Sequence, residues 1–423
     1  MSRCGTSTCA STISGAKFSA VIRLLTFTTL FPNAAQPTHG IFVENRLRHL
    51  VAGGEVESRV VAPVPFFPRL LAPLDPSRAL LGGVPRDETR GELRVTHPRY
   101  PVIPRIGMTV APALLFARSL PVLRRLQAES GDFDLIDAHY FYPDGVAAVL
   151  LGKALGKPVV ITARGTDVNL IPAYALPRRM ILWAAKRAAH LIAVSHALKE
   201  ALVALRIPAE KITVLRNGVD LAMFRPLDRV SIRTKLGLDG PVLLSVGHLI
   251  ERKGHDVVIR ALVSLPQHKL LICGIGPELA ALEGLAREIG VDNRVRFLGQ
   301  IAHDRLAEIY GAADALVLAS SREGWPNVLL EAMACGTPII ASNIWGNPEI
   351  VARREAGILM RERSAAGVSA AVRDLFSALP TREATRAYAE GFSWDETTRA
   401  QIAIFRSMVA APSPSSALAQ ARQ

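Results

Sequence analysis

Ser321-Arg322-Glu323-Gly324-Trp325-Pro326-Asn327-Val328-Leu329-Leu330-Glu331-Ala332-Met333-Ala334-Cys335-Gly336-Thr337-Pro338 is the stretch on which the reading of this chain turns. Glu323 falls in a turn made of Gly324, Trp325, Pro326 and Asn327. Glu331 falls eight positions later, two turns into the apolar run that Val328 opens. A ligand lying on the start of that helix touches both carboxylates. Main-chain N–H groups at a helix start favour phosphate, and carboxylates accept hydrogen bonds from sugar and ribose hydroxyls. The pair therefore suits a sugar joined to a diphosphate. Taken alone it also reads as a loop charge and a helix-face charge.

On either side of this stretch, short apolar runs alternate with longer helical patterns. The runs are Val21 to Phe27, Leu135 to Ala138, Pro158 to Thr162, Leu191 to Val194, Ile212 to Leu215, Val242 to Val246, Lys269 to Cys273, Val295 to Leu298, Ala315 to Leu318 and Pro338 to Ala341. Strand, helix, strand in this rhythm predicts an α/β fold of parallel sheets wrapped by helices. A break between Asp220 and Asp239, around Phe224, Arg225 and Pro226, divides the runs into two sheets. Pro63 to Pro121 is rich in Pro and Arg and lacks a clear period, so it reads as an irregular insertion with one or two helices. Two domains are also what a chain of 423 residues with 49% hydrophobic residues leads one to expect.

Several further segments follow strands, where open parallel sheets present their ligands. Gln36-Pro37-Thr38-His39-Gly40 follows the first, and Gly40 lets a backbone approach a phosphate closely; the segment holds no dinucleotide-type glycine triplet. His139, in Asp137-Ala138-His139-Tyr140, ends the second and is placed to meet a hydroxyl in the crevice. Arg164-Gly165-Thr166-Asp167 follows the third, with Arg164 suited to an anion and Asp167 to a hydroxyl on the acceptor side. After Val242 to Val246 come Gly247 and then Arg252-Lys253-Gly254, two adjacent cations suited to the charge of a departing diphosphate, or else a solvated surface pair. Turns at Gly274 and at Arg296-Phe297 suit a nucleotide base and ribose. Asp132-Phe133-Asp134 precedes its strand instead of following it, so no metal site is expected there.

In sum these segments, with Gly336-Thr337-Pro338-Ile339-Ile340-Ala341-Ser342 closing the first one, resemble the retaining glycosyltransferases of family 4, whose signature is two Glu separated by seven residues. Phe31-Pro32-Asn33 through Gly40-Ile41-Phe42-Val43 is most similar to the enzymes of teichuronic acid synthesis. The resemblance spans roughly residues 20 to 410. It implies the GT-B fold, two Rossmann-like domains with parallel sheets facing a central cleft. It implies an acceptor domain at 18–222, a donor domain at 223–390 and a helix at 391–410 crossing back to the first domain; residues 1–17, rich in Ser, Thr, Gly and Cys, and 411–423, rich in Ala, Ser, Pro and Gln, read from their composition as disordered tails. It further implies transfer of a sugar from a UDP- or GDP-sugar to an acceptor hydroxyl with retention. His139, Arg252, Lys253 and Glu323 would carry the chemistry. Gly40, Gly274, Arg296, Phe297, Gly324, Trp325, Pro326, Asn327, Val328 and Glu331 would bind the donor with them, and no metal or other cofactor would be needed. His248 departs from the family pattern, standing where many members have another Arg. A sugar-nucleotide epimerase and a non-catalytic sugar-nucleotide-binding scaffold of a polysaccharide assembly remain the alternatives.

Composition bounds the partners. The net charge is +13, and residues 1–228 supply +11 of it, with 28 Lys and Arg against 17 Asp and Glu. A basic first half favours an anionic partner, an anionic membrane face or a phosphorylated acceptor, or else is a set of solvated surface charges; no nucleic-acid-binding signature accompanies it, and with the resemblance it points to a glycan or lipid-linked acceptor. No run of eighteen uncharged apolar residues occurs, and Phe18 to Phe31 reads as a buried strand in preference to a signal peptide. Four Cys without a disulfide pattern point to a reducing compartment. The expected place is the cytoplasm, with peripheral contact at the inner face of the membrane.

Overall fold

The computed structural model describes residues 21–66, 81–103 and 107–410. The tails expected at 1–17 and 411–423 lie outside these residues, as does part of the Pro63 to Pro121 region. The strands are β1 Ile22–Phe27, β2 Val56–Val61, β3 Val64–Phe66, β4 Asp87–Arg90, β5 Leu93–Thr96, β6 Arg99–Pro101, β7 Leu135–His139, β8 Val159–Ala163, β9 His190–Ala193, β10 Ile212–Val214, β11 Val242–Val246, β12 Lys269–Cys273, β13 Val295–Gly299, β14 Ala315–Leu318, β15 Ile339–Ser342 and β16 Gly357–Met360.

The first sheet runs β10-β9-β8-β7-β1-β2-β5-β4, with every neighbour parallel except the β4–β5 pair. The second runs β13-β12-β11-β14-β15-β16 and is parallel throughout. Central strands such as β8, Val-Val-Ile-Thr-Ala, and β11, Val-Leu-Leu-Ser-Val, are buried at every position because helices cover both sheet faces. Strand order reverses between β1 and β7 in the first sheet and between β11 and β14 in the second. At each reversal the two following loops part in opposite directions and leave a crevice.

The Pro63 to Pro121 region departs from its expected irregularity. Among its described residues it supplies β3 to β6, and β5 extends the first sheet in parallel beside β2. These strands are three or four residues long, and β4 to β6 carry charges, which hides a period of two. A 24-residue helix, Gly107–Ser130, begins in the same region.

One buried cluster holds residues of both halves, Leu25 and Phe27 with Leu316 and Leu318, and includes Val219, Phe224 and Trp325 where the halves meet. The last described helix, Trp394–Ala410, returns to the first sheet. Ile402 and Phe405 pack with Ile22, Leu24 and Val43, and Trp394 stacks on His49 at 5.2 Å between ring centroids. Among the described residues no helix is long and apolar enough to cross a membrane.

Candidate active site

The two crevices face each other across a cavity of about 510 Å³. Its lining comes from the segments after β1 and after each of β7 to β14, together with the helix Asn327–Ala334. The topology thus brings to one place segments that lie far apart in the chain.

On the second-sheet wall, Lys253 Nζ donates to Glu323 Oε1 at 2.7 Å, and Arg252 Nη1 stands 3.7 Å from Glu323 Oε2. Arg252 also donates to the Arg322 carbonyl at 2.8 Å, which ties the loop after β11 to the loop after β14. Burial would raise the Glu323 pKa, but the charges of Lys253 and Arg252 outweigh it and hold the carboxyl below its ordinary range. Eight positions on, Glu331 accepts from Tyr310 Oη at 2.8 Å and lies 3.2 Å from His303 Nε2. Both carboxylates are 8% exposed and line the cavity. Gly274 lines it too, and its φ of +149° lets the chain pass against the Gly247 carbonyl, where a Cβ would collide.

On the first-sheet wall the cavity meets Arg164, whose guanidinium carbon lies 5.4 Å from the centre of the Phe42 ring. Arg164 Nη2 is 2.6 Å from His139 Nδ1, and His139 Nε2 is 3.2 Å from Asp137 Oδ2. A guanidinium has no lone pair to offer, so His139 Nδ1 accepts and Nε2 carries the proton donated to Asp137. Burial, with the Arg164 charge adding to it and Asp137 opposing, pushes the His139 pKa down to about 4. Behind them Arg46 donates to Gln401 Oε1 at 2.7 Å, while Gln401 Nε2 donates to Asp137 at 3.2 Å. Two buried arginines thus share one buried aspartate. Arg164 Nε, Arg46 Nη2 and Asp137 Oδ1 have no hydrogen-bond partner among the described residues.

The walls interlock beside the cavity. Gly324 lies against Arg164 and Gly165, so close that a Cβ on Gly324 would collide with the Arg164 carbonyl oxygen. Asn217, after β10, accepts from Arg164 at 3.1 Å and from Arg46 at 3.3 Å. It donates to Asn327 Oδ1 at 3.1 Å, and its carbonyl accepts from Trp325 Nε1 at 3.1 Å. Glu349, after β15, accepts from Arg216 at 3.0 Å and from the Ala197 N–H at 3.1 Å.

The structure brings Arg164, Arg252, Lys253, Gly274, Glu323, Gly324, Trp325, Pro326, Asn327, Val328 and Glu331 to the cavity wall. Five expected residues stand elsewhere. His139 is buried one layer back, shielded by Arg164. Asp167 spends its carboxylate on the N–H groups of Phe141, Arg164 and Gly165, so it shapes the loop instead of facing an acceptor. Gly40, at φ +68°, packs against the Leu30 carbonyl, while its neighbours Thr38, Ile41 and Phe42 reach the cavity. Arg296 is exposed and donates to the Leu236 carbonyl at 2.8 Å, and Phe297 packs into the second-domain core. The residues that sequence reading missed are Arg46, His303, Tyr310 and Gln401. None sits in a local motif; topology alone unites them. Among the described residues no group of three His, Cys, Asp or Glu could hold a metal ion.

Residues 47–223 match the family model of Glycosyltransferase Family 4, and residues 228–392 that of glycosyl transferases group 1. The chain is 33% identical to D-inositol 3-phosphate glycosyltransferase of Mycobacterium leprae over 320 residues, 70% of this chain and 74% of the relative. It is 28% identical over 357 residues to a Bacillus subtilis protein named for teichuronic acid biosynthesis, the glycosyltransferase TuaC, covering 83% of this chain and 88% of that one. Among solved structures, Anabaena Alr3699/HepE in complex with UDP and glucose superposes with a TM-score of 0.69 at 20% identity, over 92% of this chain and 100% of the other. Two Rossmann-like halves around a cleft are the GT-B fold.

Proposed function

Since the chain belongs to glycosyltransferase family 4, we propose that it moves a hexosyl group from a UDP- or GDP-sugar to an acceptor hydroxyl with retention at the anomeric carbon. The observation that carries this reading is the pairing of Lys253 with Glu323 at 2.7 Å on the wall of a cavity that both sheets line. Cation and carboxylate stand where a diphosphate and the hydroxyls of its sugar would take their places. Arg252 and Lys253 would stabilise the charge that builds on the leaving diphosphate. Glu323 would bind sugar hydroxyls and Glu331 the ribose.

In a front-face reaction the acceptor oxygen bonds to the anomeric carbon on the side from which the diphosphate oxygen departs. The acceptor proton passes to that diphosphate oxygen, and a glycoside and a nucleoside diphosphate leave. No metal or further cofactor enters this scheme. His139 serves it through Arg164, by holding the guanidinium against the cavity. The contact of Gly324 with Arg164 and Gly165 would close the cleft and limit donor hydrolysis.

Arg164 gives the acceptor side an underpaired cation, which suits an acceptor carrying an anionic group. The names of the relatives, one for an inositol phosphate and one for a cell-wall polymer, support an anionic acceptor. The favoured acceptor is a lipid-linked glycan of cell-surface polysaccharide. It would be met in the cytoplasm at the inner membrane face, where the basic first half would touch anionic lipid.

The test is a screen of the purified protein against UDP- and GDP-sugars, following nucleotide release with and without extracted lipid-linked acceptors. Saturable binding of one donor with acceptor-dependent release is the expected result. Donor binding with sugar isomerisation and no acceptor requirement would make the protein an epimerase, and binding without turnover would make it a scaffold.

A further inference from the structure

Glu331 is held differently from Glu323. Its two oxygens each meet a separate side chain from a separate element: Tyr310, on the helix Leu306–Ala312, at Oε2, and His303, at the turn preceding that helix, at Oε1. An ionised carboxylate only accepts, so both neighbours donate. Tyr310 is wholly buried and its main-chain carbonyl is fixed by Thr337 Oγ1 at 2.6 Å. Phe224, from the connection between the domains, packs edge-on against both donors, at 5.1 Å from the His303 ring and 6.0 Å from that of Tyr310. Arg386 in turn anchors the Phe224 carbonyl at 2.6 Å.

A carboxylate has about four lone-pair directions, and these two donors take one on each oxygen. One direction on each oxygen remains, and Glu331 lines the cavity. A pair of acceptors on adjacent oxygens, fixed before any ligand arrives, matches two neighbouring hydroxyls, and fixing it beforehand spares the ligand the cost of freezing a long side chain. We propose that Tyr310 and His303 are positioning residues that aim the Glu331 carboxylate at the two ribose hydroxyls of the donor nucleotide, with Phe224 holding both in place. The proposal rests on the reading of Glu331 as the ribose-binding group.

Calorimetry with UDP, GDP and their 2′,3′-dideoxy counterparts separates positioning from simple structural support. For whichever base wild-type protein binds, Tyr310→Phe should weaken the ribonucleotide about ten- to hundredfold, the range for a hydrogen bond to a charged group. The dideoxy nucleotide should weaken by less than about twofold. With a turnover assay, the donor KM should rise while kcat stays within about twofold. His303→Leu should behave as Tyr310→Phe does, and His303→Gln, which keeps an N–H donor, should restore ribonucleotide binding. Equal weakening of both nucleotides, or none, would overturn the positioning role. Should Glu331→Ala leave the ribo-to-dideoxy preference at its wild-type value, Glu331 does not hold the ribose, although donor binding itself stands. Wild-type protein that binds no nucleotide would sink this proposal together with the transferase reading.

Discussion

On the second-domain wall of the cleft, Arg252, Lys253, Glu323 and Glu331 come from two loops and one helix, and their charged ends reach the cavity. The first-domain wall is built the other way, with Arg46, Asp137, His139 and Asp167 shut behind Arg164 and bonded to one another or to backbone. The cavity-facing set can exchange its partners for those a ligand would offer. The buried set cannot, and its work is to hold one guanidinium and one loop in shape. Charges of one kind thus face the cavity on one wall and hold the architecture on the other.

The contrast is broken most directly at Glu323. Glu323→Ala should lower turnover by about 10²–10³-fold while the melting temperature falls only modestly, because the Lys253 and Arg252 partners left behind open on the cavity, where water can solvate them. Initial rates at saturating donor, beside a thermal melt, check this. Normal turnover would remove the central assignment.

Gly324→Ala tests whether the walls must touch. The added Cβ has no room beside the Arg164 carbonyl, so the halves should stand apart. Solution scattering should give a larger radius of gyration than wild type, and turnover should fall by roughly 10²-fold, as expected when reacting groups are displaced by about an ångström. An unchanged radius would mean that the loop yields instead.

Arg46→Met sharpens the other side. Breaking a buried charge network costs about 3–5 kcal/mol, so the denaturation midpoint should drop clearly. Turnover of the folded fraction should change by less than about tenfold, since the residue lies outside the cavity. A large kinetic loss without a stability loss would place Arg46 in the chemistry.

The smallest expected effect is a pH slope. The folded protein takes up the His139 proton only near pH 4, whereas the unfolded chain takes it up near 6.5. The stability from this group is therefore complete above 6.5 and lost as pH falls toward 4. Asp144 runs oppositely. Burial, against hydrogen bonds from Thr28 and Thr29, raises its pKa from 3.8 to about 7, so its contribution is complete below 3.8 and lost as pH rises through 7. Between pH 4 and 6.5 the two slopes oppose. Relative to wild type, His139→Gln should tilt stability downward with rising pH across that window, and Asp144→Asn should tilt it upward. Urea midpoints at half-unit pH steps read both; parallel profiles would show that neither group titrates as described.

The same contrast explains what the sequence made legible. Ten apolar runs reappear as β1 and β7 to β15, because strands covered on both faces need nearly continuous apolar residues. β2, with Glu57, Ser58 and Arg59 inside it, shows no such run. Nor do the short strands β3 to β6. The cavity-facing charged wall was legible because its residues cluster in two motifs. The buried network was not, since Arg46, Asp137, Arg164, Asn217 and Gln401 meet only after the chain has folded back on itself. His139 and Asp167 were noticed for their place after strands, but sequence position says nothing of which layer a side chain occupies.

The helix Trp394–Ala410 supplies Ile402 and Phe405 to the core beside β1, and Gln401 to both Arg46 and Asp137. A nascent chain therefore cannot finish its first domain when the residues of that domain have left the ribosome. The apolar surface around Ile22 and Leu24 must wait, uncovered, until the entire second domain has been translated. The order in which the two domains can be completed is thus reversed relative to synthesis order. The second domain can mature before the first is sealed, and a premature stop ahead of Gln401 would leave a protein whose incomplete part is the one made earliest.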